Sequence, residues 1–317
     1  MRTMFMKTSF LSISLGLLLL GAAPTAAAAP LSAAATPTFR MPAGRFVELQ
    51  REVTKARALD PRAFVAVNQI VSHAVDANAR ARGRKAPVAL YLAKLGPNAV
   101  HPMLEMLAID PPKGIPAESA PGIRRDVIEA LGLLKDARAL PVLTAILDDT
   151  TEDADTTRSV TEAIARIGTD EAATRILTAL DTSSGDRTRA IVGGMGECRR
   201  LRVTEALASR IRSTNDEAIA RIAARSLGRA GNAWAWSTVA DRSEETQVRG
   251  AAARALVASF VRTEGEARAA ASNALMVVDA PETPSLIAEA KKGASGELSK
   301  ALDALADRFA NNPSRTR

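Results

Sequence analysis

Few residues in this 317-residue chain could do chemistry. It holds two histidines, His73 and His101, and one cysteine, Cys198. A metal centre needs convergent ligands, and a nucleophilic centre needs a base beside its nucleophile. His73 falls in an apolar-patterned helical stretch, whereas His101 opens a different one ahead of Pro102. No catalytic residue, metal or cofactor is therefore expected, and the chain reads as a non-enzyme. With a single thiol no intramolecular disulfide can form. Flanked by Glu197, Arg199 and Arg200, Cys198 reads as a packed, inert thiol.

Three further clusters are candidates for binding. The acidic run Asp148-Asp-Thr-Thr-Glu-Asp-Ala-Asp155 could hold calcium, but it lacks the glycine and the closing glutamate of an EF-hand loop. Acids and threonines in such a turn also cap the helix that follows. Gly193-Gly-Met-Gly196 follows no strand and matches no phosphate-loop spacing, so its glycines read as a close helix approach or an early helix end. Trp234 and Trp236 are the only tryptophans. Two helical residues apart means about 200° of rotation, so both cannot face one core stripe. Either one of them is exposed as a partner-binding anchor, or the segment is partly non-helical and buries both.

Charge and composition narrow the class. The net charge is +7, and the basic residues are mostly arginine, with only nine lysines. Acids are interspersed throughout, so the excess reads as a mixed solvated surface, although an anionic partner would suit it. Hydrophobic residues are 47% of the chain and aromatics only 3%. That is enough apolar content for a core, and an alanine-rich, aromatic-poor chain favours closely packed helices. No window alternates as a strand requires.

The elements follow from spacing. Arg2 and Lys7 precede the apolar Phe10–Leu20 stretch, and small residues up to Ala28 complete the pattern of a secretory signal peptide. The apolar stretch falls short of a membrane span, so residues 1–28 are expected to be removed near Ala28. That leaves a net charge of +5 on an exported, periplasmic or extracellular chain. Residues 29–44, with Pro30, Pro37 and Pro42, read as a flexible linker without a packed face. Phe46, Leu49, Val53 and Ala56 mark one helix, and Phe64, Val67, Val71 and Ala74 a second. These form an N-terminal cap over residues 45–85, which ends in a short basic turn, Arg80 to Lys85. Ile123, Val127, Leu131 and Leu134 share one helical face; Leu140, Leu143 and Leu147 share another. Aligning Leu131, Ile164, Met195, Leu227 and Leu256 gives steps of 33, 31, 32 and 29 residues. Such a period, with two helices per unit, marks a solenoid over residues 86–278. Leu298, Leu302, Leu305 and Phe309 predict a closing helix within a C-terminal cap, 282–310, before a frayed tail over 312–317. Residues 45–311 thus read as one all-α domain, an α-α superhelix of about five to six helix pairs with helical caps.

The alternation of a leucine-rich helix ending in Asp with a helix opening on Val-Arg-x-x-Ala-x-x-x-Leu, as at Val248–Leu256, resembles HEAT repeats, and most closely the short variety named after phycobilisome lyases. The resemblance implies an Asp in the turn inside each repeat paired with an Arg early in the second helix. The matching acids are Asp110, Asp148, Asp181 and Asp241, with Asp216 displaced beside Arg221. The matching arginines are Arg124 or Arg125, Arg158, Arg189 and Arg249. Such a ladder of charge-assisted hydrogen bonds would be structural rather than phosphate-binding. The function implied is a scaffold for a protein or peptide partner. Alternatives are a nucleic-acid binder or DNA-glycosylase-like enzyme, disfavoured by the export signal, and a bilin-lyase-like accessory protein, disfavoured on the same ground.

Overall fold

The computed structural model describes residues 38–80 and 87–313. The expected signal peptide (residues 1–28), the expected linker up to residue 37, residues 81–85 of the basic turn and the tail from 314 lie outside the described residues. α1 (Ala43–Leu59) and α2 (Pro61–Arg80) come first. Four pairs follow: α3 (Val88–Lys94) with α4 (Val100–Ala108), α5 (Ala120–Leu134) with α6 (Leu140–Asp148), α7 (Ala154–Ile167) with α8 (Asp170–Asp181), and α9 (Gly185–Gly194) with α10 (Leu201–Ser213). Then come α11 (Glu217–Ala230), a one-turn α12 (Ala233–Ser237), α13 (Glu245–Arg262), α14 (Gly265–Val278), α15 (Thr283–Lys292) and α16 (Gly296–Ala310). No strand occurs among the described residues.

These helices stack as two rows. In the first, α3, α5, α7, α9, α11, α14 and α16 each pack on the next. In the second, α6, α8, α10, α13 and α15 do the same, with α4 beside α1 at the N-terminal end. The arrangement is an α-solenoid, because each helix has one apolar stripe that only a neighbour can cover. Ile123, Val127 and Leu131 of α5 and Leu140, Leu143 and Leu147 of α6 are all buried. Phe46, Leu49 and Val53 of α1 and Phe64, Val67, Val71 and Ala74 of α2 cover one end. Leu302, Leu305 and Phe309 of α16 cover the other.

Local chemistry sets the helix ends. Asp153, Thr169 and Asp216 accept backbone N–H groups at the starts of α7, α8 and α11, each a cap of about 1 kcal/mol. At the other ends arginines from elsewhere donate to the last carbonyls. Arg187 reaches Leu147 and Asp149 after α6, Arg262 reaches Ile211 and Thr214 after α10, and Arg249 reaches Val278 and Asp279 after α14. A guanidinium there satisfies orphan carbonyls and meets the negative end of the helix dipole.

Small residues set the spacing within the first row. A Cβ on Gly132 would lie 2.6 Å from the Cα of Ala163, and one on Gly194 would lie 2.5 Å from the Cβ of Thr161. Gly196 meets the backbone of Ser226, and Gly228 meets Ala274. The Gly193–Gly196 run thus does both things its composition suggests: α9 ends at Gly194, and the chain there touches both flanking helices.

Two expectations are corrected. Residues 38–44 do not form an unpacked linker. Phe39 is buried, Thr38 bonds to the carbonyls of Leu107 and Ala108, and the Arg40 N–H donates to Asp149 at 3.2 Å. The segment crosses the ends of α4 and α6 before α1 begins at Ala43, since an aromatic ring gains more from that crevice than from water. The second correction concerns the repeat. The Val248–Leu256 motif is not the next member of the series Leu131, Ile164, Met195, Leu227, because α13 sits in the second row between α10 and α15. The first-row successor of α11 is α14, whose Ala274 meets Gly228. The short α12 and its flanking loops are an insertion that lengthens this step. The motif misled because an amphipathic opening pattern is common to helices of both rows.

Candidate interaction surface

The insertion presents the two tryptophans. α12 starts where Asn232 caps the backbone N–H of Ala235 at 3.0 Å. A single turn is enough to send the two indoles to opposite sides. Trp236 is 1% exposed and packs against Ala230, Val248 and the partly buried Leu201 and Val239. Its Nε1–H donates to the Ala230 carbonyl at 2.9 Å, so the polar edge of the ring is satisfied as burial requires. Trp234 is 68% exposed. Of the two tryptophans, only Trp234 is therefore available to a partner.

The acid–arginine ladder is built differently from the one the resemblance implied. Arg124 makes a two-pronged contact with Glu152 at 2.5 and 2.7 Å. Arg189 reaches Asp216 at 3.0 Å and also pairs with Asp186, and Arg221 pairs with Glu266. In each case an arginine early in one first-row helix meets an acid at the start of the next first-row helix, across the repeat boundary. Arg158 and Arg249 instead pair with Glu162 and Glu245 of their own helices. None of Asp110, Asp148, Asp181 and Asp241 forms an ion pair with these arginines among the described residues. Asp241 accepts hydrogen bonds from the Ser243 side chain and then from its N–H, which lower the Asp241 pKa. Arg125 acts on Asp153 only through its charge. The acid inside a repeat turn lies at the second-row helix end, whereas the arginine points sideways along the first row, so the two do not converge.

In the acidic run, Asp149 accepts from Thr151 and Arg40, Glu152 holds Arg124, and Asp153 caps α7. These three carboxylates are taken up in structural contacts. Cys198 is buried, and burial raises its pKa to about 11. His73 is exposed on α2; His101 is half-buried on α4, with its pKa lowered by burial and by Arg138. The structure does not bring these three residues together.

Sequence reading missed one surface. Arg221, Arg225 and Arg229 recur every four residues on α11, a spacing visible in the chain, and all three line an open groove of about 470 Å3 against α14. Which helix lies opposite that stripe was decided by the insertion, so the groove was not readable as such.

Residues 117–196, spanning α5 to α9, match the family model for HEAT repeats. No curated protein matches the chain.

Proposed function

We propose that this HEAT-repeat protein is a scaffold for protein–protein interaction, acting outside the cytoplasm and without catalytic activity of its own. The observation that carries the reading is Trp234, a large aromatic side chain held on a fixed one-turn helix and left to solvent. Side chains of that type anchor interfaces. The HEAT match supports the general role, since stacked repeats offer an extended surface. Export rests on the sequence of the first 28 residues, with their basic start, apolar stretch and small-residue run. The raised pKa of Cys198 argues against a thiolate nucleophile at neutral pH.

The test is a pull-down with the chain from Ala29 onward, using the envelope and secreted fractions of its own organism. A single protein recovered at stoichiometric yield is expected, with retention reduced in Trp234→Ala. That variant should unfold within about 0.5 kcal/mol of the parent, as for other exposed substitutions. Recovery of nucleic acid or lipid alone, released by salt, would overturn the reading.

A further inference from the structure

The groove between α11 and α14 has the chemistry of a docking site. One wall carries Arg221, Arg225 and Arg229, whose successive Cα atoms are about 6 Å apart along the helix axis. The floor and opposite wall include Ala270, Ala274 and Val277. Arg221 is engaged by Glu266 at one end, and Arg229 donates to the Gly193 carbonyl and pairs with Glu162. Arg225, between them, is exposed and makes no hydrogen bond or ion pair among the described residues. Arg221 and Arg229 thus already face acids, and Arg225 is the arginine of this groove left without one among the described residues; that puts a positive surplus at its centre, where the apolar floor would exclude water from an ion pair. Val277, 40% exposed, lies at the end where α11 finishes, and α12, bearing Trp234, packs on α14 next to it in the fold.

We propose that this groove docks an acidic helical segment of a protein partner, with carboxylates every four residues and small side chains between them. The proposal rests on the scaffold reading above and specifies the chemistry of that partner. A helix with Glu at positions i, i+4 and i+8 repeats the spacing of Arg221, Arg225 and Arg229, so with its middle carboxylate on Arg225 the flanking two lie beside Arg221 and Arg229, where they compete with Glu266 and Glu162. Small residues between them let the incoming helix settle on Ala270 and Ala274, as Gly228 already lets α14 approach α11. Trp234 then supplies an apolar anchor beyond the end of the charged stripe.

The experiment is fluorescence anisotropy of a labelled alanine-based peptide with Glu at every fourth position, titrated with the purified chain. Saturable binding is expected, weakened about tenfold or more by Arg225→Glu, as loss of a close charge pair does. Val277→Glu, which places a like charge at the same groove, should weaken it too. Arg175→Glu, an equal charge change on the exposed face of α8, should leave it unchanged. Circular dichroism melts of all three variants establish that they fold. Equal affinity in all three, equal binding of the matching Lys-for-Glu peptide, or displacement of the peptide by duplex DNA at lower concentration would each overturn the proposal. The pull-down separates the two readings. A partner captured equally by the parent and Arg225→Glu sinks the groove and leaves the scaffold standing. Peptide binding with no partner captured by the parent leaves the groove chemistry and sinks the scaffold.

Discussion

The thiol of Cys198 illustrates how position changes chemistry at the scale of a residue. The residue sits between charged neighbours in sequence, yet it is buried and its pKa rises from 9.0 to about 11, chiefly through burial. Thiolate is the reactive form, so native protein at pH 8 should not react with a thiol-specific reagent on the timescale on which denatured chain is fully labelled. The linkage has a definite sign. Between pH 9 and pH 11 the unfolded chain loses this proton before the folded one, so the contribution to stability is complete below pH 9 and falls as pH rises through that window. Urea melts of the parent and Cys198→Ala should therefore converge between pH 8 and pH 11. Fast labelling of native protein would show that the site opens.

The helices make two expectations that separate packing from capping. Gly194→Ala places a Cβ 2.5 Å from Thr161, and such overpacking costs about 1–3 kcal/mol, to be read as a lowered urea midpoint. A value near zero would mean that α7 and α9 slide apart freely. Asp153→Ala removes the cap of α7 and should cost about 1 kcal/mol at pH 7. The Thr156 N–H holds the Asp153 pKa below its ordinary 3.8. The cap is therefore fully present above that pH and is lost as pH falls through the lowered pKa. Melts at pH 7 and pH 3 should show the gap between parent and variant narrowing with acid.

At the scale of the whole described solenoid, stability is a sum over neighbouring helices, and the last elements have a neighbour on one side only. Hydrogen exchange should thus find the slowest amides in α5, α7 and α11, each packed between two first-row helices, and faster exchange in α15 and α16. Uniform protection from α5 to α16 would mean that the array unfolds as one cooperative unit. The arginines that donate to distant helix ends also couple neighbours. Arg262, for example, joins the end of α13 to the last turn of α10.

Much of this was legible in the chain itself. Periodic apolar residues gave the helices, because burial of a helical stripe is a local, one-dimensional property: Ile123, Val127 and Leu131 had to share a face. The acidic run read as a cap and the Gly193–Gly196 run as a close approach for similar local reasons. What required the tertiary structure was every statement about which neighbour lies beside which. The spacing of Trp234 and Trp236 required them to diverge on a helix, but only the fold decided that Trp236 is buried beneath Ala230 and Trp234 is left outside. Arg189 and Arg221 were visible, but not their acids across the repeat boundary. The motif at Val248 could not show its row, since α12 inserts a turn that changes which helix follows which. A sequence records the pattern along each helix, while lateral pairing depends on how far the chain travels before it returns, and that distance is fixed only when the helices pack.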